Sequence, residues 1–233
     1  MIVLITPTGA RPQQFELCMR WMQNQTYKGR VFWIVMDDCF PTTTDSLTDS
    51  FKDNWTIIKK YPVPSWTLGM NTQGRNLAVA INVIRHFPRS WVDAIFVIED
   101  DDYYKPIYIE ETLNRLGSYD LVGQGNTIYY DVNRLVYKNN FNKNHASLFQ
   151  TCFTVNALDI LETCLTNRFI DIEFFRRSIN KFVFDGEPLS VGIKGLPGRA
   201  GIGIGHRMNN VTLDSDLRTL KELLGDDYKY YVQ

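Results

Sequence analysis

The sequence lacks the cysteine pairs and the strong charge that would assign it at once to several classes of protein. Its four cysteines are scattered and include no C-x-x-C pair. That pattern is typical of reduced thiols in a cytosol-like compartment rather than of a disulfide scaffold. A formal net charge of −1 over 233 residues gives no general attraction to nucleic acid or to an anionic membrane.

Long apolar runs are also missing. No run approaches the roughly 20 residues needed to cross a bilayer. The apolar residues 1–5 are too few for a signal peptide and lack its basic first part. We therefore expect a cytoplasmic protein without a membrane anchor. A hydrophobic content of 44% is sufficient for one domain with a real core.

What is present in the first half is an alternation of short apolar runs with helical patterns. Strands are predicted at residues 2–6, 31–36, 55–61 and 92–98, and helices at residues 11–25 and 77–84. This order predicts an α/β fold with a Rossmann-like, mostly parallel sheet flanked by helices. The polar residues 42–53 are predicted to form a loop or a short helix.

The second half follows a different pattern. A hairpin is predicted over residues 127–137, with its turn at 131–133. Asn156 is a candidate N-cap and Gly225 a candidate helix stop. The glycine-rich residues 191–205 are predicted to form a loop. Helices are predicted at residues 156–166, 171–180 and 214–224.

The most informative segment is a row of four acids, Glu99, Asp100, Asp101 and Asp102, directly after the apolar residues 94–98. A run as apolar as this is typical of a strand buried on both faces. Ligands of open α/β sheets bind at the carboxyl ends of such strands. Packed carboxylates raise each other's pKa unless a cation neutralises them. Hard oxygen ligands suit Mg²⁺ or Mn²⁺. The alternative is a solvated acidic turn.

Three further features are predicted to meet this acidic segment. The turn at residues 7–12 opens a helix, where backbone amides suit an anion or a base edge. Asp37 and Asp38 end the second strand. Arg75, early in the helix before the acidic strand, could bind phosphate or a base carbonyl through its planar guanidinium. Each feature alone is also typical of an ordinary turn or of a surface arginine.

Together these features resemble the GT-A glycosyltransferases, and most closely glycosyltransferase family 2. That family begins with a strand, then Pro-Thr, one variable residue, Asn-Arg-Pro, and a helix ending near Gln-Thr-Tyr. Its second strand ends in Asp-Asp, and an Arg-Asn pair precedes its acidic motif. Ala10 replaces the usual Asn, and Cys39 and Phe40 replace a Gly-Ser pair. The residues that match are Pro7, Thr8, Arg11, Pro12, Gln25, Thr26, Tyr27, Asp37, Asp38, Arg75 and Asn76.

The resemblance implies a metal site and a nucleotide-sugar site. GT-A enzymes commonly carry the metal-binding Asp of their DXD motif five residues before a proline, and counting back from Pro106 gives Asp101. Asp101 would then bind Mn²⁺ or Mg²⁺, Asp102 could share the ion, and Asp100 would lie beside the donor ribose. His206 is a candidate third ligand, although a lone histidine is more often structural. Nucleotide-sugar contacts are implied for Pro7, Thr8, Arg11, Asp37, Asp38, Arg75 and Asp100.

Residues 169–177 resemble the helix start at which inverting members of the family carry their catalytic base. The family pattern is Asp-x-Asp-Leu followed by Arg. Here Asp171 precedes Arg176 and Arg177, and Ile170 replaces the usual Glu. Asp171 would deprotonate the acceptor hydroxyl while the metal and cationic groups stabilise the leaving diphosphate. The alternative is an ordinary N-terminal acid on an amphipathic helix.

The glycine-rich late segment contributes basic side chains. Its Lys194, Arg199 and Arg207 could close over a diphosphate. Residues 121–213 carry ten Lys and Arg against seven Asp and Glu. This excess permits an anionic acceptor such as hydroxymethylated phage DNA, but it does not exclude a glycan.

The prediction is therefore a single GT-A domain spanning residues 1–233. Residues 1–105 would form the nucleotide-sugar-binding half and residues 106–233 the acceptor-binding half. It would be a metal-dependent, inverting glycosyltransferase that moves a hexosyl or pentosyl group to an acceptor hydroxyl.

Two alternatives stay open. One is a sugar-phosphate nucleotidylyltransferase, which would need a catalytic lysine in its first loop, and residues 8–14 contain no lysine. The other is a non-catalytic nucleotide-sugar-binding protein, which Ala10, Phe40 and Ile170 favour.

Overall fold

The first half of the chain builds four parallel strands. The computed structural model describes residues 1–40, 44, 51–199 and 208–232. Its first strands are β1 (Ile2–Thr8), β2 (Val31–Asp37), β3 (Trp55–Lys60) and β4 (Ala94–Val97). They lie side by side in the order β3-β2-β1-β4. Helix α1 (Pro12–Gln23) follows β1 and helix α2 (Gln73–Ile84) precedes β4, which confirms the predicted alternation.

Strand β1 shows why the apolar runs are continuous. Ile2 and Leu4 belong to a core cluster that includes Trp21 of α1, whereas Val3 and Ile5 belong to a second cluster that includes residues of α2. Successive side chains of a strand face opposite sides of the sheet. Because both sides carry a core, an apolar residue is needed at every position, and the polar side chains begin where the strands end.

The second half of the chain extends the same sheet. Its strands are β6 (Leu121–Gln124), β9 (Thr151–Phe153) and β10 (Lys181–Phe184). β9 lies antiparallel between β4 and β6, and β10 pairs in parallel with β6 at the edge. Among the described residues the sheet contains four parallel pairings and two antiparallel ones. The predicted mostly parallel α/β fold is therefore confirmed.

A second, smaller sheet begins directly after the acidic segment. Its strands are β5 (Tyr103–Tyr104), β7 (Asn126–Asp131), β8 (Val136–Phe141), β11 (Ser190–Lys194) and β12 (Thr212–Leu213). They are ordered β12-β8-β7-β11-β5. β11 pairs with β5 and with β7, so it joins the acidic segment to the predicted hairpin.

Strand β11 corrects the sequence prediction, which assigned residues 191–205 to a loop. Residues 190–194 are buried throughout. A Cβ added to Gly192 would lie 2.4 Å from Cδ1 of Tyr129. The glycine therefore permits close packing inside a strand, and its presence does not indicate a turn.

The hairpin is present but shifted. β7 and β8 pair from Asn126 with Phe141 to Asp131 with Val136, so the second strand begins two residues later than predicted. The Asp131 carboxylate accepts hydrogen bonds from the backbone N–H groups of Asn133 and Arg134. These bonds lengthen the turn beyond the predicted residues 131–133.

Among the remaining helices of the described ranges, the first has no counterpart in the sequence prediction, and the other three differ from their predictions at the ends. They are α3 (Tyr108–Leu116), α4 (Leu158–Cys164), α5 (Ile170–Arg177) and α6 (Arg218–Leu224). Thr154, rather than Asn156, caps the 3₁₀ turn that leads into α4. None of the helices within the described ranges is long and apolar enough to span a membrane.

Helices α5 and α6 are shorter than predicted because polar side chains bind their ends. The Ser178 hydroxyl donates to the carbonyl of Phe174, which satisfies the last turn of α5 before residue 180 is reached. The Asp214 carboxylate accepts from the backbone N–H groups of Thr219 and Leu220, so Asp214 caps α6 from outside the helix. Gly225 ends α6 as predicted.

Candidate active site

The four acids lie between the end of β4 and the start of β5. Glu99, Asp101 and Asp102 each offer a carboxylate oxygen, and these oxygens lie within 4.8 Å of one another. Asp102 is 1% exposed, and its Oδ2 atom has no hydrogen-bond partner. A buried carboxylate oxygen with no hydrogen-bond donor is available as a ligand for a cation. The three residues therefore fit a divalent metal ion.

Asp100 is held by the turn between β1 and α1. The Thr8 hydroxyl donates to Asp100 Oδ2 at 2.7 Å, and Arg11 Nη1 donates to Asp100 Oδ1 at 2.6 Å. Arg11 also lies 3.5 Å from Asp101. Burial raises the pKa of Asp100, and the Arg11 charge opposes this rise. The predicted meeting of this turn with the acidic segment is thus present.

Lys194 reaches the acidic segment from the last position of β11. Its Nζ atom lies 2.9 Å from Asp102 Oδ1 and 3.3 Å from Asp101 Oδ2. The backbone N–H of Ile193 also donates to Asp102 Oδ1, at 3.1 Å. The lysine is 6% exposed, so it is an internal counter-ion rather than a residue on a closing loop.

Burial dominates the ionisation of this cluster. Burial first, and then the charge of Asp101, raises the pKa of Glu99 to about 7. Burial also raises the pKa of Asp102 well above its ordinary value. For Lys194, burial disfavours the ammonium, but Asp101 and Asp102 more than offset it and raise the pKa. Further positive charge would favour full ionisation of the carboxylates near neutral pH.

The side chain of Asp38, at the end of β2, is fully buried. Four side chains donate to its carboxylate. They are the hydroxyl of Thr72, Nδ2 of Asn76 at 2.8 Å, Nη2 of Arg75 at 3.2 Å and Nη1 of Arg199 at 2.7 Å. Three of these partners belong to the start of α2, and the fourth comes from the late segment. Asp38 therefore holds together the residues that surround it.

Asp37 has a different set of contacts. Its carboxylate accepts hydrogen bonds from the backbone N–H groups of Cys39 and Thr44. These contacts shape the chain after β2. Among the described residues, Asp37 is not one of those that line the cavity of about 920 Å³ beside the acidic segment. Its predicted nucleotide contact stays a prediction.

Arg199 joins the late segment to the first turn. Its guanidinium carbon lies 4.7 Å from the centre of the Trp66 ring. Its backbone N–H donates to the carbonyl of Ala10 at 3.3 Å, and Arg11 Nε donates to the carbonyl of Arg199 at 2.8 Å. Ala10 has φ +58°, a left-handed conformation that Asn adopts more readily than Ala. The turn thus has a backbone shape suited to the Asn that the family resembled in sequence carries at this position.

A cavity of about 920 Å³ brings these residues together with residues of the second half. The four acids that follow β4 and their two basic partners form a first set of residues, which we call the β4-end group. Its members are Arg11, Glu99, Asp100, Asp101, Asp102 and Lys194. The second set, the α5-end group, lines the same cavity. Its members are Asn140, Asn142, His145, Arg168 and Asp171.

Asp171 is the second residue of α5. Burial raises its pKa, while the backbone amides at the helix start and His145 oppose the rise. Arg176 and Arg177, which contributed to the sequence pattern, instead form exposed ion pairs with Glu173. A carboxylate that lines a cavity and has a raised pKa is suited to accept a proton.

A close backbone contact joins α2 to the segment between α4 and α5. Gly74, in the first turn of α2, lies against the carbonyl of Leu165, which follows α4. A Cβ at Gly74 would come 2.0 Å from that oxygen. Glycine is therefore required where α2 passes the segment that leads to Asp171.

The structure brings most of the predicted site residues to one place. Pro7, Thr8, Arg11, Asp100, Asp101 and Asp171 line the cavity, while Asp38, Arg75 and Asp102 bond to residues that line it. His206 and Arg207 lie outside the described residues. The sequence prediction omitted Glu99 from the metal ligands. It also missed Trp66 and Gln73, whose Nε2 donates to Glu99 Oε1.

Comparison with solved structures identifies the fold as that of GT-A-like glycosyltransferases. Staphylococcus aureus TarS superposes with a TM-score of 0.57 at 11% identity, over 82% of this chain and 36% of TarS. TarS residues 1–349 in complex with UDP-GlcNAc give 0.57 at 11%, over 86% and 60% of the two chains.

A mannosyltransferase from Pyrobaculum calidifontis, PcManGT, in complex with GDP-Man and Mn²⁺, gives a TM-score of 0.57 at 12% identity. The match covers 84% of this chain and 57% of PcManGT. The chain thus spans between about a third and three fifths of the structures it matches. No protein-family model and no curated protein matches the chain, so membership of family 2 stays a prediction.

Proposed function

We propose that this protein is a metal-dependent glycosyltransferase that moves a sugar from a nucleoside-diphosphate sugar to an acceptor hydroxyl. The observation that carries the proposal is one cavity lined by Glu99 and Asp101, two of the three carboxylates that fit a divalent cation, and by a separate, partly buried carboxylate, Asp171. The similar folds of TarS, solved with UDP-GlcNAc, and PcManGT, solved with GDP-Man and Mn²⁺, support it.

The β4-end group would bind the donor diphosphate. Glu99, Asp101 and Asp102 would hold Mn²⁺ or Mg²⁺, and the ion would supply charge that neutralises the leaving diphosphate. Arg11 and Lys194 add two positive charges beside it. Thr8 and Asp100 line the cavity, which supports direct contact with the donor.

Asp38 and Arg75 would act on the donor indirectly. The Asp38 carboxylate already accepts four hydrogen bonds, and one of these comes from Arg199, which lines the cavity. We propose that Asp38 positions Arg199 and Asn76 for the nucleotide. The predicted direct contacts of Pro7 and Asp37 with the nucleotide are part of the same proposal, in which the positioning role of Asp38 replaces its predicted direct contact.

The α5-end group would bind and activate the acceptor. Asp171 would take the proton of the attacking hydroxyl as the new glycosidic bond forms and the bond to the diphosphate breaks. This single displacement would invert the anomeric configuration. Amide, imidazole and guanidinium groups suit a polyhydroxyl or phosphate-bearing acceptor, so both a glycan and hydroxymethylated DNA belong in an acceptor screen.

The test begins with a thermal-shift screen of nucleotide sugars with and without Mn²⁺. Calorimetry then compares the affinity for the nucleoside diphosphate of the best donor in Mn²⁺ and in EDTA. We expect tighter binding with Mn²⁺ in the wild type and in Asp226→Ala, whose side chain is almost fully exposed. The difference should vanish in Asp101→Ala.

The outcomes separate the alternatives. Equal affinity with and without metal would contradict the proposed metal site. Donor binding with neither transfer nor hydrolysis would indicate a non-catalytic binding protein. Release of pyrophosphate from a nucleoside triphosphate would indicate a nucleotidylyltransferase.

A further inference from the structure

The ammonium of Lys194 bonds to two carboxylates that a metal ion would need as ligands. Its ammonium bonds to Asp102 Oδ1 and to Asp101 Oδ2, and both residues belong to the three that fit a divalent cation. A lysine and a divalent cation that share two carboxylates repel each other. Metal binding and the present Lys194 contacts therefore oppose one another.

The carboxylate of Asp102 is only half satisfied by these contacts. Oδ1 accepts from Lys194 Nζ and from the N–H of Ile193, whereas the buried Oδ2 has no hydrogen-bond partner. Lys194 thus supplies positive charge to the cluster but leaves Asp102 Oδ2 without a partner. The unpartnered oxygen is a second observation, independent of the acidic cluster itself, that points to a cation.

Lys194 also has access to a second anion. Its side chain lines the cavity, and its Nζ lies 5.8 Å from the centre of the Tyr129 ring, which lines the cavity as well. A diphosphate entering this cavity would present oxygens to the ammonium. The lysine could then exchange carboxylate contacts for phosphate contacts without leaving the site.

We propose that Lys194 couples metal binding to diphosphate binding. Without a diphosphate, its ammonium stays on Asp101 and Asp102 and keeps the affinity for a divalent cation low. With a diphosphate present, the ammonium is shared with the phosphate oxygens, and the carboxylates accept the ion. The inference rests on the proposed function, because it assumes that this cavity holds a metal and a diphosphate.

The main test measures Mn²⁺ alone, by the electron paramagnetic resonance signal of the free ion, with no nucleotide present. We expect Lys194→Met to bind Mn²⁺ at least tenfold more tightly than the wild type. Lys194→Arg keeps the charge and should bind as the wild type does. Lys143→Met, which removes an exposed lysine of the same half, is the control and should also leave binding unchanged.

A second measurement tests the coupling. UDP and GDP, tried separately, should raise the Mn²⁺ affinity of the wild type. The same nucleotide should raise that of Lys194→Met by a smaller factor, because the lysine no longer opposes the ion. By thermodynamic linkage the ion must change the nucleotide affinity by the same factor in each protein, which gives an internal check.

The inference is overturned if Lys194→Met binds Mn²⁺ as weakly as, or more weakly than, the wild type. If the wild type binds Mn²⁺ and the variant does not differ, the metal site stands and only the role of Lys194 falls. If neither binds Mn²⁺ at millimolar concentration, the metal part of the proposed function falls with it.

A folding defect in Lys194→Met would still give an answer. Its carboxylates would lack their internal counter-ion, so Mn²⁺ should raise its melting temperature more than that of the wild type. Lys194→Gln, which keeps a hydrogen-bond donor, should show the same trend. A melting temperature that Mn²⁺ does not raise in either variant would contradict the inference.

Discussion

The α5-end group and, apart from Asp102, the β4-end group line one cavity, but the two groups are built in opposite ways. The charged side chains of the β4-end group bond to each other across long stretches of sequence, as Arg11 does to Asp100 and Lys194 to Asp102. In the described part of the chain, no Lys or Arg bonds to Asp171, and His145 is the basic side chain whose charge acts on it. The first group is a mostly buried ionic cluster, whereas the members of the second group are partly or largely exposed.

This difference predicts different roles for the two groups. Buried charges that satisfy each other contribute to the fold, and removing one of them leaves its partners without compensation. A carboxylate without an ion pair contributes little to stability and is available to substrate. We therefore expect substitutions at the first group, and at Asp38 beside it, to affect folding. Substitutions at Asp171 should affect turnover.

The largest effect is expected at Asp171. Asp171→Asn keeps the shape of the side chain and removes the proton acceptor, which typically lowers a rate by roughly 10²–10⁴-fold. Thermal stability and donor affinity should stay close to those of the wild type. Turnover is measured with the donor and acceptor found by screening. Glu173→Gln, on the same helix but outside the cavity lining, is the matched control.

Near-normal turnover in Asp171→Asn would exclude it as the base. The Glu173→Gln control would already report on Glu173, so Asp185 would be tested next. The anomeric configuration of the product would show whether the displacement inverts or retains.

The next effect is on stability and concerns Asp38. Asp38→Ala would leave four donors around a buried site without their acceptor, which typically costs about 3–5 kcal/mol of the free energy of unfolding. Arg75→Ala removes a partner whose side chain is 25% exposed and should cost no more than about 1 kcal/mol. Urea denaturation measures both. Equal midpoints for Asp38→Ala and the wild type would show that Asp38 does not hold this region together.

The pH dependence of turnover tests the same contrast. Burial raises the pKa of Asp171. As the solution is acidified, the rate should therefore begin to fall at a pH above about 4, the ordinary pKa of an aspartate. Protonation removes the base, so the fall is roughly tenfold per pH unit below its pKa. Rates are compared at saturating Mn²⁺ and donor. The acid limb should persist in His145→Gln, and its persistence in Asp171→Asn would contradict the assignment.

The smallest effect is expected at Trp66. Trp66→Leu removes the ring beneath Arg199, a contact worth about 0.5–1 kcal/mol at a partly exposed site. Donor affinity should fall by two- to fivefold, that is by about the same free energy. Trp91→Leu, an exposed tryptophan elsewhere on the surface, is the control. Unchanged affinity in Trp66→Leu would remove Arg199 from the proposed nucleotide site.

The β4-end group was largely predictable from sequence because one rule places it. Polar residues after a doubly buried strand come to the carboxyl edge of the sheet, and Glu99–Asp102 and Asp38 both follow such strands. Lys194 obeys the same rule, since it ends the buried strand β11. The glycine within that strand obscured the pattern, because Gly192 serves packing against Tyr129.

The α5-end group was harder to predict because no strand end defines it. Asp171 was proposed from a helix-start pattern, but the arginines of that pattern bond to Glu173 on the surface. Asn140, Asn142 and His145 come from a hairpin strand and the segment after it. Their common position depends on how the second sheet packs, and local sequence does not encode that arrangement.

The contact between Gly74 and Leu165 has a consequence for how the proposed enzyme would change over time. The carbonyl of Leu165 lies against the glycine, so main-chain atoms fix the spacing between α2 and the segment leading to α5. In the proposed enzyme, side-chain replacements in the cavity would select another sugar or another acceptor without altering that spacing. Substrate choice and reaction distance would then be separate variables, and only the first would be open to single substitutions in the lining.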